Sequence, residues 1–204
     1  MPVVTPISAP PSFQTKTEAR RALRAVRRRA SDSYGAAAAA AVRDQFMVAL
    51  SPPDGAVVAG YWPIGGELDP RPLLTELAAS GFSCALPVAI ARDAPLTFRF
   101  WTADMVLVPD ALGIPGPPTD AARLEPDLFL LPLIGFDRLG HRLGQGAGSY
   151  DRTLAELRRR SRSVLAIGIG FAVQEMALVP AEIHDQSLDW IVTDRFALRL
   201  SAQE

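Results

Sequence analysis

The chain predicts a three-layer α/β/α sandwich, with helices covering both faces of a largely parallel sheet. Two observations carry that expectation. Segments with helical apolar spacing alternate with short, wholly apolar runs, the pattern of buried strands joined by helical crossovers. An apolar run ending at Pro132 then leads through a polar loop to Gly144, Gly146 and Gly148, just before a helix-compatible segment. In such folds ligands bind at the carboxyl ends of the strands. A length of 204 residues suits one domain, and 49% hydrophobic residues support a real core.

The elements follow in chain order. Residues 1–14 are proline-rich and uncharged and read as a flexible tail, with 15–204 as a single domain. Thr15 and Glu18 fit a capping box that opens a helix running to about Ala30. That helix carries Lys16, Arg20, Arg21, Arg24, Arg27, Arg28 and Arg29 against one acid. Lys16, Arg20 and Arg24 are four apart and share a face. The residues alone leave open a solvated basic helix, a phosphate contact, a nucleic-acid contact or a targeting helix. Lys16 is the only lysine among 21 basic residues, so its compact ammonium stands out in a chain that otherwise uses arginine.

A second helix is expected over Ser33–Leu50, with alanine at every position from Ala36 to Ala41. Ser51 to Gly55 breaks it, and Ala56–Tyr61 reads as a buried strand. Trp62, a glycine turn, Glu67 and Asp69 follow. They form either a ligand-facing edge or an ordinary connection in which Asp69 caps a helix starting at Pro70. That helix ends at Gly81. Strand Ser83–Pro87 holds Cys84, the one cysteine, which reads as a core thiol in a reducing compartment. Leu96–Trp101 alternates apolar and polar residues and suits a half-exposed strand, with Trp101 in a pocket or in the core. Residues 109–126 form a long proline- and glycine-rich loop. A helix over Ser149–Ser161 and a buried strand over Ser163–Ile169 complete the predicted elements, and the stretch after Asp194 carries no signal.

The glycine turn between a strand and a helix is either an anion cradle or a plain tight turn. It is neither the Walker pattern nor GxGxxG. A net charge of −1 offers no electrostatic case for nucleic acid. No uncharged apolar run reaches the ~18 residues of a membrane span, and the first residues lack the pattern of a secretory signal. A cytoplasmic protein without a membrane partner is expected. Two histidines exclude a histidine-built metal cluster, and His184 alone reads as structural.

Around these glycines the chain resembles a known family. Pro132, Gly135, Phe136, Asp137, Arg142, Leu143, Gly144, Gly146, Gly148, Tyr150 and Asp151 are similar to the signature of 5-formyltetrahydrofolate cyclo-ligases, also called methenyltetrahydrofolate synthetases. Lys16 and Arg20 match an N-terminal Lys-x-x-x-Arg pair, and Trp62 and Glu67 match a folate-contacting pair. Ile114 to Pro117 matches an Ile-Pro-x-Pro segment. Phe171, Gln174, Pro180, His184, Asp185, Asp189, Val192 and Thr193 match the closing stretch. The chain departs at Ala147, where glycine or lysine is usual, and at Ser149, where an aromatic is usual.

The resemblance implies a mixed sheet and ATP-dependent closure of 5-formyltetrahydrofolate to 5,10-methenyltetrahydrofolate by a monomer, with Mg²⁺. It implies that Lys16, Arg20 and Arg142 act on phosphate oxygens. ATP would be held by these three with Leu143, Gly144, Gln145, Gly146, Ala147, Gly148, Ser149 and Tyr150. The folate would meet Trp62, Glu67 and Trp101, together with Gln145, Gly146, Ala147, Gly148 and Ser149. Asp151 and Asp185 would hold Mg²⁺. Ala147 is expected at negative φ, leaving any left-handed position to Gly146 or Gly148. Ser149 removes an aromatic wall, so Trp62 or Trp101 fills the gap or the substrate differs. Two other functions fit the same residues: an ATP-dependent enzyme for another small amide, and a non-catalytic nucleotide- or RNA-binding paralogue.

Overall fold

One helix stands where the sequence pattern indicates two. In the computed structural model, which describes residues 10–91, 94–160 and 163–200, α1 runs Lys16–Ala49. The expected break survives as a kink at Tyr34, whose φ of −149° and ψ of 23° are not helical. Ser33 and Gly35 flank it, a pairing that favours kinks. Tyr34 meets Phe171 edge-on with ring centroids 5.7 Å apart. The N-terminus is capped as predicted, with the Glu18 amide donating to Thr15 Oγ1 at 3.2 Å. Two of residues 10–14, within the stretch expected as a tail, contact the domain. The Pro11 carbonyl accepts from Ala177 N at 2.9 Å, and Phe13 packs against a cluster that includes Leu23, Leu143 and Met176. Residues 1–9 lie outside the described residues.

The strands are β1 Val57–Ala59, β2 Ser83–Val88, β3 Thr97–Phe100, β4 Val108–Pro109, β5 Pro115–Gly116, β6 Arg123–Leu124, β7 Leu128–Pro132, β8 Gly135–Phe136, β9 Arg142–Leu143, β10 Leu165–Gly170, β11 Trp190–Thr193 and β12 Ala197–Arg199. Eight of them form one sheet in the order β12-β11-β10-β7-β1-β2-β3-β6. β11, β10, β7, β1 and β2 pair in parallel, while β12, β3 and β6 pair antiparallel at the two ends. The sheet is therefore mixed, as the resemblance implied. β4–β5 and β8–β9 are separate two-stranded ladders. The expected 109–126 loop contains β5 and β6, and the stretch after Asp194 supplies β12.

Alternation along β7 sorts the layers. Leu128 and Leu130 join a core with α1 and α2 (Arg71–Ala79), whereas Phe129 and Leu131 join a core with Leu154 of α3 (Ser149–Arg159). Helices thus cover both faces of the sheet. β1 and β7 are adjacent, but the chain leaves β1 for β2 on one side and β7 for β10 on the other. A crevice forms outside the carboxyl ends of two strands that diverge in this way.

Candidate active site

A cavity of about 780 Å³ opens at that divergence, within the range of ligand pockets. Tyr61 and Trp62, just beyond β1, and Leu131 and Pro132, ending β7, form its floor. Two helix N-termini meet there. Thr15, Lys16 and Thr17 bring the start of α1, and Gly148, Ser149 and Tyr150 bring the start of α3. Unsatisfied first-turn amides and the helix dipole make each end receptive to anions, and two such ends on one cavity reinforce each other.

The cations expected from sequence converge on the same space. Lys16 Nζ lies 2.7 Å from Asp185 Oδ2 and 3.2 Å from Glu182 Oε1. Arg20 Nε donates to the Gly144 carbonyl at 2.9 Å and so braces the glycine loop. Arg142 is 8% exposed and donates to Asp151 Oδ1 at 2.7 Å. Its Nε is buried without a hydrogen-bond partner among the described residues. Burial pulls the Arg142 guanidinium below its ordinary pKa against the pull of Asp151.

Glycine serves a definite purpose in the loop. Gly146 has φ of 107° and Gly148 φ of 67°, both in the region that L side chains avoid, as expected with Ala147 between them. Gly146→Ala is therefore expected to cost about 1–3 kcal/mol of local strain and to weaken ATP binding accordingly. Calorimetric titration with ATP checks this. An unchanged affinity would show that the loop does not need that conformation.

Opposite the glycine loop stands Glu67, 7% exposed. Its Oε1 accepts from Gln145 Nε2 at 3.1 Å and from Arg27 at 3.4 Å, and its Oε2 accepts from the Ile64 amide at 3.1 Å. Burial pushes its carboxyl above the ordinary glutamate range, while the Ile64 amide, Gln145 and Arg27 pull it back. Gln145 also accepts from Arg24 at 3.0 Å, so it ties the glycine loop both to the Glu67 wall and to α1. Tyr150 and Ser149 line the cavity, and burial raises the Tyr150 phenol.

Asp151 and Asp185 both line the cavity, but they are not equivalent. Asp151 Oδ1 is engaged by Arg142 and by the Gln186 amide at 3.0 Å. Asp185 stands with Glu182 and His184 in a trio whose ligand atoms lie within 4.8 Å of one another. His184 thus has carboxylate company that the histidine count did not foresee. Trp101 is the one predicted wall that is misplaced. It is 3% exposed in the α1–α2 core and does not line this cavity. Its amide donates to the Cys84 carbonyl at 2.9 Å, which turns the ring inward just past β3. Cys84 itself is buried, and desolvation pushes its thiol up to about 11, consistent with an inert core residue.

Sequence reasoning missed Arg27, the tip of the β4–β5 hairpin, and Glu182. Arg27 is 2% exposed and donates to the Gly65 carbonyl at 2.9 Å and the Leu133 carbonyl at 3.1 Å. Asp110, Leu112 and Ile114 of the hairpin tip line the cavity. Asp110 shapes that tip by accepting from the amides of Ala89, Leu112 and Ile114.

These features define an α/β/α enzyme with an anion-receptive cavity at the strand ends, cationic on one wall and aromatic and acidic on the other. Comparison with known proteins narrows the class. Residues 12–194 match the profile of the 5-formyltetrahydrofolate cyclo-ligase family, and the chain belongs to that family. It is 32% identical over 148 residues to the 5-formyltetrahydrofolate cyclo-ligase of Mycolicibacterium smegmatis, covering 69% of this chain and 75% of that one. It is 33% identical over 141 residues to the Escherichia coli K12 enzyme of the same name, covering 67% and 76%. The solution structure of Aquifex aeolicus 5,10-methenyltetrahydrofolate synthetase superposes with a TM-score of 0.73 at 26% identity, over 93% of this chain and 94% of that one.

Proposed function

We propose that this chain converts 5-formyltetrahydrofolate to 5,10-methenyltetrahydrofolate with ATP, releasing ADP and phosphate. Family membership supports the reaction. The observation that supports the ATP-driven chemistry is the meeting of two helix N-termini with Lys16, Arg20 and Arg142 on one cavity. The formyl group is an amide, so its carbon is a poor electrophile. Transfer of the γ-phosphoryl group to the formyl oxygen activates it. N10 then attacks that carbon and gives up its proton to solvent, the C–O bond breaks, and phosphate leaves. Such chemistry asks for charge neutralisation and positioning rather than a protein nucleophile. Lys16 and Arg20 face the phosphates, and the amides of residues 144–148 cradle them. Glu67 bonds pterin nitrogens, and Trp62 forms the apolar wall.

Asp185, with Glu182 and His184 beside it, would hold a hard divalent cation once the Lys16 ammonium, which contacts both carboxylates, turns to the phosphates. Asp151 adds a carboxylate on the α3 side. Bound there, Mg²⁺ would neutralise phosphate charge. In the same reading the protein acts as a cytoplasmic monomer without nucleic acid. No helix among the described residues is long and apolar enough to cross a membrane.

The test is a mixture of purified protein, 5-formyltetrahydrofolate, Mg²⁺ and ATP, followed by the near-ultraviolet absorbance of methenyltetrahydrofolate. The expected result is a rise that requires both ATP and Mg²⁺. No rise from folded protein that still binds ATP would overturn the folate assignment.

A further inference from the structure

Trp62 separates two spaces. It lines the main cavity and also a second hollow of about 470 Å³, shared with Arg43, Asp69, Arg71, Thr75 and Trp101. From that second side the Arg71 guanidinium stands over the ring, with Cζ 4.6 Å from its centroid, in cation–π range. Arg71 is itself pinned. Its Nε lies 2.9 Å and 3.0 Å from the two Asp69 carboxylate oxygens, its Nη2 lies 2.6 Å from Oδ2, and its backbone amide donates to Oδ1 at 2.9 Å. Such a bidentate pair fixes orientation as well as distance.

Trp62 is half-buried, with one side packed against the α1–α2 core. It sits in the irregular connection between β1 and α2, outside any regular element. A side chain that forms a binding wall works only if its rotamer is set before the ligand arrives. We infer that Arg71, held by Asp69, is a positioning residue that clamps the back of Trp62 and so fixes the wall against which the folate ring system packs. The inference rests on the proposed folate reading. It adds a pair outside the cavity that tunes substrate affinity without touching the substrate.

Steady-state kinetics test it. Arg71→Ala is expected to raise KM for 5-formyltetrahydrofolate about five-fold, leaving kcat and the KM for ATP unchanged. Arg71→Lys is expected not to restore it, because an ammonium lacks the planar fork that Asp69 holds. If Arg71 served only to start α2, its effect would combine independently with the loss of the ring. If it acts through Trp62, Arg71→Ala adds nothing in a Trp62→Leu background. An unchanged KM, or multiplied effects in the double variant, overturns the clamp. A readout without turnover is the fluorescence anisotropy of Trp62 in a Trp101→Phe/Trp190→Phe chain, which leaves it the sole tryptophan of three. Arg71→Ala should free the ring and lower that anisotropy, and no change overturns the clamp. Absence of turnover in the natural chain would refute the folate assignment separately, and the anisotropy would still decide the clamp.

Discussion

Replacing Lys16 with alanine is expected to lower kcat/KM by about 10²–10³-fold, the usual effect of removing one preorganised charge from a transition state, while the domain stays folded. Lys16 opens α1, so its ammonium and the helix dipole act in the same place. Its side chain is only 14% exposed, which strengthens its field relative to water. The contacts to Asp185 and Glu182 hold the ammonium at the cavity edge. Glu182 is 52% exposed but Asp185 only 18%, so loss of these contacts costs about 1–3 kcal/mol, which leaves the domain folded. Lys16→Arg should recover only part of the activity. A forked guanidinium fits the Asp185–Glu182 pair but cannot present the same compact charge to a phosphate oxygen. Initial rates with ATP varied, alongside thermal melts, check the prediction. A Lys16→Ala variant within a few-fold of the natural rate would remove Lys16 from the chemistry and return it to a surface ion pair.

What the sequence made legible follows from where its patterns are strong. Alternate glycines after an apolar run located the loop, because few sequences need so many backbone positions free of side chains. The buried strands β1, β2, β7 and β10 were readable as continuous apolar runs, because both their faces are covered. β5, β6 and β12 were not, because two or three half-exposed residues show no period. Arg27 was hidden by its company, since five arginines (Arg20, Arg21, Arg24, Arg28 and Arg29) lie within two helical turns of it. The usable signal was its register: Ala19, Leu23 and Ala30 mark a buried stripe, and Arg27 falls on it. Trp101 misled for a related reason. Alternation puts Phe98 and Phe100 on one face of β3 and Thr97 and Arg99 on the other, yet Phe98 is buried and Phe100 exposed, so the period gave no indication of whether Trp101, just past the strand, would be covered. The Asp185 trio and the hairpin tip depend on chain reversals that no local spacing encodes.

Arg27→Met is expected to destabilise the protein by about 3–5 kcal/mol at neutral pH, the cost of leaving one member of a buried ion pair unpartnered, and by clearly less at acid pH. Methionine fills the space of the stem, so the loss is electrostatic rather than a cavity. The Leu133 carbonyl keeps Gln174 Nε2 at 2.7 Å, but the Gly65 carbonyl and Glu67 lose their guanidinium. At 3.4 Å the contact to Glu67 is long, so the attraction is mainly coulombic. Burial already holds the Glu67 carboxyl above the ordinary glutamate range, and Arg27 is among the groups that pull it back. Removing Arg27 raises the folded-state value further. A carboxyl raised above its unfolded value binds more protons when folded, so stability falls as pH rises between the two values. The variant should therefore lose most stability above the raised value, where Glu67 must be charged. It should approach the natural chain below about 4, where unfolded and folded carboxyls are both protonated. Urea denaturation at pH 4 and pH 7.5 measures this. Equal destabilisation at both would show that Arg27 supports the Gly65 turn and has no hold on Glu67. The Arg27→Met/Glu67→Gln chain isolates the two: if the charge is the cause, it recovers stability at pH 7.5 and loses the pH dependence.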